Sequence, residues 1–179
     1  MAIASLLELV ARAEESRCRV LAAAAGLPAE QETWQPTPDD WSVQAIVEHL
    51  VLAEQSGVRF VWRAAEGVRS SRTAWQGEPV HRGLSIETVI ARTWRFKEEA
   101  PPNARPQQAA PLAYWCAALA AGQPVLEALR LALQGLDLET VIFPHFISGP
   151  LDARQRLEFL RWHMDHHREQ LEAVRAAMP

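Results

Sequence analysis

The chain has 179 residues, of which 49% are hydrophobic and 22% charged, with a formal net charge of −4. This length predicts one domain, residues 1–179, with its own core, and these proportions exclude disordered, collagen-like and disulfide-scaffold classes. Basic and acidic residues alternate without a basic stripe, which excludes the phosphate-neutralising surface of a nucleic-acid binder.

Taken from the N-terminus, Ile3, Leu6, Leu7, Val10, Ala13, Val20 and Leu21 recur at three- and four-residue steps and predict an amphipathic helix from Ile3 to about Ala25. Glu8 and Arg12 interrupt the unbroken apolar run of a secretory signal, so none is expected. Gly26 and Pro28 stop the helix, and the proline-rich stretch through Trp34, Pro36, Pro38 and Asp40 predicts a loop. A second helix follows from about Val43 to Ala65, capped by Ser42 or Asp40. Gly67 to Arg82 keeps no period and predicts an irregular excursion, after which Ser85 opens a short helix over Ile86 to Ala100, ahead of Pro101 and Pro102. A helical region from about Gln107 to Gln134 is kinked or split at Gly122 and Pro124. Gly135 closes it, Thr140 to Pro150 predicts a turn-rich connection, and the last helix runs from Asp152, its cap, to Ala177.

No convincing strand pair is expected. Four long amphipathic helices with an additional short one and irregular loops predict an all-α fold, a four-helix bundle. No window reaches the roughly eighteen uninterrupted apolar residues of a spanning helix, the nearest being Leu112 to Ala121, so no membrane partner is expected. Cys18 and Cys116, far apart and without a CxxC pairing, predict buried thiols in a reducing compartment and hence a cytoplasmic protein.

Chemistry concentrates in the histidines. At roughly 100° per residue, Leu160, Met164, Leu171, Val174 and Met178 share one arc of the last helix, with Arg161, Asp165, Arg168, Glu169 and Glu172 opposite. His163 and His167, four residues apart, fall on the buried arc one turn above the other, whereas His166 projects sideways to solvent. On the second helix His49 sits about 60° round from Ile46, at the shoulder of the apolar stripe. A histidine pair at this spacing offers two nitrogens to one divalent ion, and a third from a facing helix leaves positions open for water or substrate. The competing reading is three hydrogen-bonded core histidines. His163-Met-Asp-His-His167 lacks the Glu of HExxH, which excludes a zinc-protease helix of that type.

Around this triad Glu54 reads more readily as a snorkelling interface residue than as a partner of the site, and Gln170 is a candidate partner of His167. His145 either approaches the site or lies on a loop surface. Glu48 and Asp165 have the wrong azimuths for a general base, so no catalytic residue is assigned. Trp34, Trp41 and Trp162 are expected to pack helix ends and loops, and Trp62, Trp75, Trp94 and Trp115 to pack the core or line a pocket.

Two segments carry a resemblance. Trp41-Ser-Val-Gln-Ala-Ile-Val-Glu-His49-Leu, with Glu54 following, resembles the second-helix signature of the DinB-like (YfiT-like) metalloenzyme superfamily. Phe143-Pro-His-Phe-Ile-Ser-Gly149-Pro-Leu, then Phe159 and His163-Met-Asp-His-His167-Arg-Glu-Gln170-Leu, resembles its closing segment. The resemblance implies an up-down-down-up bundle whose divalent metal, Zn or Ni by its imidazole ligands, is held by His49, His163 and His167. It also implies thiol-dependent S-transfer or isomerisation of a small-molecule substrate with a low-molecular-weight thiol cofactor, in a homodimer. Metal-assisted hydrolysis, or a non-catalytic stress-linked binding module with a structural or vestigial metal site, are the alternatives. The middle of the chain, Gly67 to Gln134, departs from the pattern, and fold carries over more safely than function.

Overall fold

The computed structural model describes residues 4–72, 75–95, 99–107 and 109–179. The expected start at Ile3 lies outside them. Helix α1 spans Leu6–Ala24 and opens on a reciprocal capping box, in which the Ser5 hydroxyl accepts from the Glu8 amide and the Glu8 carboxylate accepts from the Ser5 amide at 2.6 Å. One turn of helix, α2 (Ala29–Glu32), interrupts the stretch expected to be wholly irregular, with the Gln31 amide bonded to the Pro28 carbonyl at 2.9 Å. Helix α3 spans Val43–Arg69; of the two candidate caps it is Ser42 that accepts from the Ala45 amide, at 3.2 Å.

Helix α4 covers Ile86–Thr93 and stops well short of Ala100, although residues 96–98 of the expected span lie outside the described residues. A tertiary contact ends it: Thr93 donates to Ser148 Oγ at 3.1 Å and the Trp94 indole donates to the same atom at 3.0 Å, which holds Trp94 extended. A 3-10 turn at Pro102–Ala104 follows, then α5 (Leu112–Ala120) and α6 (Gly122–Leu133), so the expected interruption is a split at Ala121.

The connection expected to lack strands instead forms an antiparallel hairpin, β1 (Ile142–His145) with β2 (Gly149–Asp152), pairing Pro144 with Pro150 and His145 with Gly149. Two prolines and only four residues per strand erase the alternation by which strands are recognised. Helix α7 (Ala153–Ala176) begins at Asp152 in a second capping box, the carboxylate accepting from the Gln155 amide at 2.8 Å. Gln155 Nε2 also donates to the carbonyls of His81 and Leu84, tying the excursion before α4 to this corner.

Helix α7 packs along α1, and α3 packs on α5, α6 and α7. One apolar cluster joins Leu9, Val58, Val61, Leu129 and Leu157; a second joins Val20, Ile46, Leu50, Leu119 and Met164. Between the two along α1 and α3 lies a polar layer. Arg17, 1% exposed, donates to both Glu54 oxygens at 2.6 and 2.5 Å, to the Leu119 carbonyl at 2.8 Å and to Glu14 at 3.0 Å. Glu54 is therefore a buried ion-pair partner and not a snorkelling residue; burial pushes its carboxyl up, against the pull of the Arg17 guanidinium. Gly122 leaves room for this pair: a Cβ at that position would crowd the Arg17 guanidinium and stand 2.9 Å from Glu54 Oε1, so the pair would have to shift.

Leu112–Leu133 as a whole has the length and apolar composition of a membrane-crossing helix, with 22% of its apolar window buried inside the protein; Leu112, Trp115, Leu119, Leu126, Leu129 and Leu133 are the side chains it turns into the core. The thiols depart from expectation, since Cys18 is exposed and Cys116 only partly buried.

Candidate metal centre

Helices α3 and α7 bring the three histidines together. Every residue of α3 from Val43 to Val51 is buried, His49 among them, while the Leu157, Leu160, Met164 and Leu171 stripe carries in His163 and His167. All three are buried, at 4%, 6% and 7% exposure. Their Nε2 atoms converge: His163 Nε2 lies 3.1 Å from His49 Nε2 and 3.1 Å from His167 Nε2, and the three lie within 4.8 Å of one another.

The outer nitrogens fix the tautomers. His49 Nδ1 stands 2.7 Å from the Ala104 carbonyl oxygen, which can only accept, so Nδ1 donates and Nε2 presents a lone pair. That carbonyl is placed by the 3-10 turn, which is pinned to α3 on both sides: Asn103 donates to Ser56 at 3.1 Å and the Gln107 amide donates to Glu48 at 2.9 Å. His167 Nδ1 donates to Gln170 Oε1 at 2.9 Å, again leaving the Nε2 lone pair inward. Burial first, and then the neighbouring imidazoles, push His163 far below the usual histidine range; burial does the same to His167 and lowers His49. Neutral rings follow.

With lone pairs on His49 and His167 already facing inward, a proton on His163 Nε2 satisfies only one of them. A cation satisfies all three. Imidazoles about 2.0–2.1 Å from a common ion stand about 2.9 Å apart at right angles and about 3.3 Å apart at tetrahedral angles, and the two 3.1 Å edges fall between. Two edges of the donor set thus fit a divalent ion, and the His49 to His167 edge, up to 4.8 Å, would have to close around it. Because the Gln170 amide orients His167 and fixes its tautomer, Gln170→Ala is expected to weaken Zn²⁺ affinity about 10–100-fold, as read by competition with a chromophoric chelator. An unchanged affinity would remove Gln170 from the site.

The triad opens on a cavity of about 1150 Å³. Trp41 lies over two of the ligands, 4.8 Å from the His49 ring and 5.9 Å from His167, the latter stacked at 19°. Expected only to pack a helix end, it belongs to the site wall, as does Trp162, which stacks on the exposed His166 at 5.0 Å. Phe159 stacks on His163 at 5.1 Å, and Trp94 and His145 pack on Phe159. His145 does approach the site, held by its Nδ1, which accepts from the Ile147 and Ser148 amides at 3.3 and 3.2 Å; burial pushes it down to about 3. Trp115 packs in the second apolar cluster, with Trp34 at its edge, and Trp62 flanks the first. Arg156, on the buried face of α7, also lines the cavity. It went unmarked in the sequence because a charged side chain is expected outside, although its place seven residues before His163 puts it on the same arc.

A family model of the DinB superfamily matches residues 12–171. No curated protein and no solved structure matches the chain.

Proposed function

Since the chain belongs to the DinB superfamily, we propose that it is a metal-dependent enzyme, binding a divalent ion, Zn or Ni, on His49, His163 and His167. The reaction proposed is thiol-dependent S-transfer or isomerisation of a small-molecule substrate. The observation that carries this reading is the convergence of three buried Nε2 atoms on one point at the wall of a large cavity. We also read the packing of α1, α3, α5 with α6, and α7 as the up-down-down-up bundle.

A divalent ion on three neutral histidines supplies a Lewis acid that lowers the pKa of a coordinated thiol or water or polarises a carbonyl. The chain's own contribution is orientation and exclusion of water. Ala104 and Gln170 hold two rings in one tautomer, and Trp41, Phe159 and Trp162 wall the site with apolar surface. Ala104 offers a carbonyl and Gln170 an amide, and neither takes up a proton. The groups that orient the ligands therefore supply no general base, and the carboxylates of the cavity are those of Asp39, Asp40, Glu99 and Glu169 on its lining.

Cobalt-substituted protein tests this reading. Adding 2-mercaptoethanol should produce a sulfur-to-cobalt charge-transfer band, and the loaded protein should accelerate capture of the thiol by an activated aryl chloride, with chloride leaving. A spectrum indifferent to thiol would remove the S-transferase assignment, and failure to bind cobalt would remove the metalloenzyme.

A further inference from the structure

Arg156 stands on α7 seven residues before His163, so the two Cα atoms are separated by about 10 Å of helical rise. The side chain is 7% exposed and faces the cavity that the triad opens on. Its guanidinium rests on the α3 backbone, where a Cβ on Gly57 would lie 3.3 Å from Nη2. Gly57 in turn is eight residues beyond His49, and so both helices place the Arg156 head group about two turns from the metal centre.

The other buried and partly buried arginines of the packed helices are matched. Arg17 meets Glu14 and Glu54, Arg19 meets Asp165, Arg154 meets Glu158, and Arg168 meets Glu172. At the cavity mouth the exposed Arg105 meets Glu99. Arg156 has no hydrogen bond or ion pair among the described residues. Burial lowers it only to about 10, so it is a cation at neutral pH. The neighbouring His145 gives it no negative charge, being neutral and already donated to by two backbone amides. A buried, unmatched guanidinium is unfavourable to the fold, and an anion entering the cavity is what would match it. Along α7 between Arg156 and His163 the cavity is lined by Leu157, Phe159, Leu160 and Trp162, and along α3 between Gly57 and His49 by Ala53 and Ser56.

We propose that Arg156 anchors a carboxylate on the ligand whose far end reaches the metal centre, so that the enzyme selects an apolar-bodied acid with its reactive group several bonds from the carboxylate. The planar guanidinium takes a carboxylate through two parallel hydrogen bonds. This rests on the metal-dependent reading for the ligand's far end, but the anchor itself requires no metal. Either the thiol or the second substrate carries the acid.

Metal-free protein separates the anchor from the metal centre. Hexanoate, followed by NMR titration, should bind wild type in preference to hexanamide, and Arg156→Met should bind hexanoate about 10–100-fold more weakly, the range of one lost charge-assisted pair, with hexanamide unaffected. Arg156→Met should melt no lower than wild type, because no partner is left unpaired; a structural arginine would show the reverse. On zinc-loaded protein, 6-mercaptohexanoate binding better than 6-mercaptohexanol and excluding hexanoate would place the acid on the thiol. Simultaneous binding of hexanoate and 6-mercaptohexanol would place it on the second substrate. Equal affinity of wild type for hexanoate and hexanamide, or undiminished hexanoate binding by Arg156→Met, would overturn the anchor. Loss of zinc binding with hexanoate selectivity intact would count against the metal centre alone.

Discussion

Untagged His163→Ala protein, purified without chelators, is expected to carry almost no metal where wild type carries close to one divalent ion per chain by elemental mass spectrometry. His163 Nε2 is the common vertex of the cluster, 3.1 Å from each of the other two donors. Without it His49 and His167 retain one donor each, on the widest edge of the group. Replacing residues that merely orient a ligand weakens metal binding about 10–100-fold, so removing this ligand should exceed about 100-fold. His49→Ala should be milder, because the pair on α7 survives. The control for folding is the helical circular dichroism of the metal-free protein, which His163→Ala should keep. Wild-type metal content in the variant would mean that any bound ion lies elsewhere. No metal in wild type, even after adding Zn²⁺ or Ni²⁺, would leave the histidines as core residues.

Glu54→Ala is expected to lower stability by about 3–5 kcal/mol, the cost of stranding one member of a buried ion pair. For a chain of this size that is roughly 6–20 °C in the midpoint of thermal unfolding. The reason is local. Arg17 is 1% exposed, and with Glu54 gone it keeps only Glu14 and the Leu119 carbonyl as acceptors. Arg17→Met together with Glu54→Leu should recover most of the loss, since apolar replacement of both partners removes the stranded charge. Gly122→Ala should cost about 1–3 kcal/mol through crowding of the same guanidinium. A Glu54→Ala midpoint within a degree or two of wild type would mean that the pair contributes little.

The long elements and the three histidines are legible in the sequence because they obey periodic rules. Apolar spacing places α1, α3 and α7, Asp152 marks the start of α7, and the azimuths of His163 and His167 on the helix point inward. Features that depend on distant parts of the chain are not legible. The end of α4 is set by Ser148, more than fifty residues away, and the partner of His49 is a backbone carbonyl at Ala104 whose identity no side chain announces. The hairpin hides behind paired prolines. Arg17, Glu54 and Arg156 are misplaced by the general habit that charges lie outside. That habit is overridden in the first two by each other, and in Arg156 by no residue among those described.

His49 and His163 are separated by 114 positions along the chain, whereas His163 and His167 are one turn apart. The two kinds of link act at different stages of folding. A cation caught by His163 and His167 alone spans a single turn and offsets the unfavourable nucleation of α7 while the rest of the chain is still open. Recruiting His49 needs almost the entire intervening polypeptide in place, a long closure whose entropy must first be overcome by the apolar core. The ion would then act early as a helix nucleator and late as a clasp between α3 and α7. Any affinity it has for the unfolded chain subtracts from the stability that it adds to the folded one.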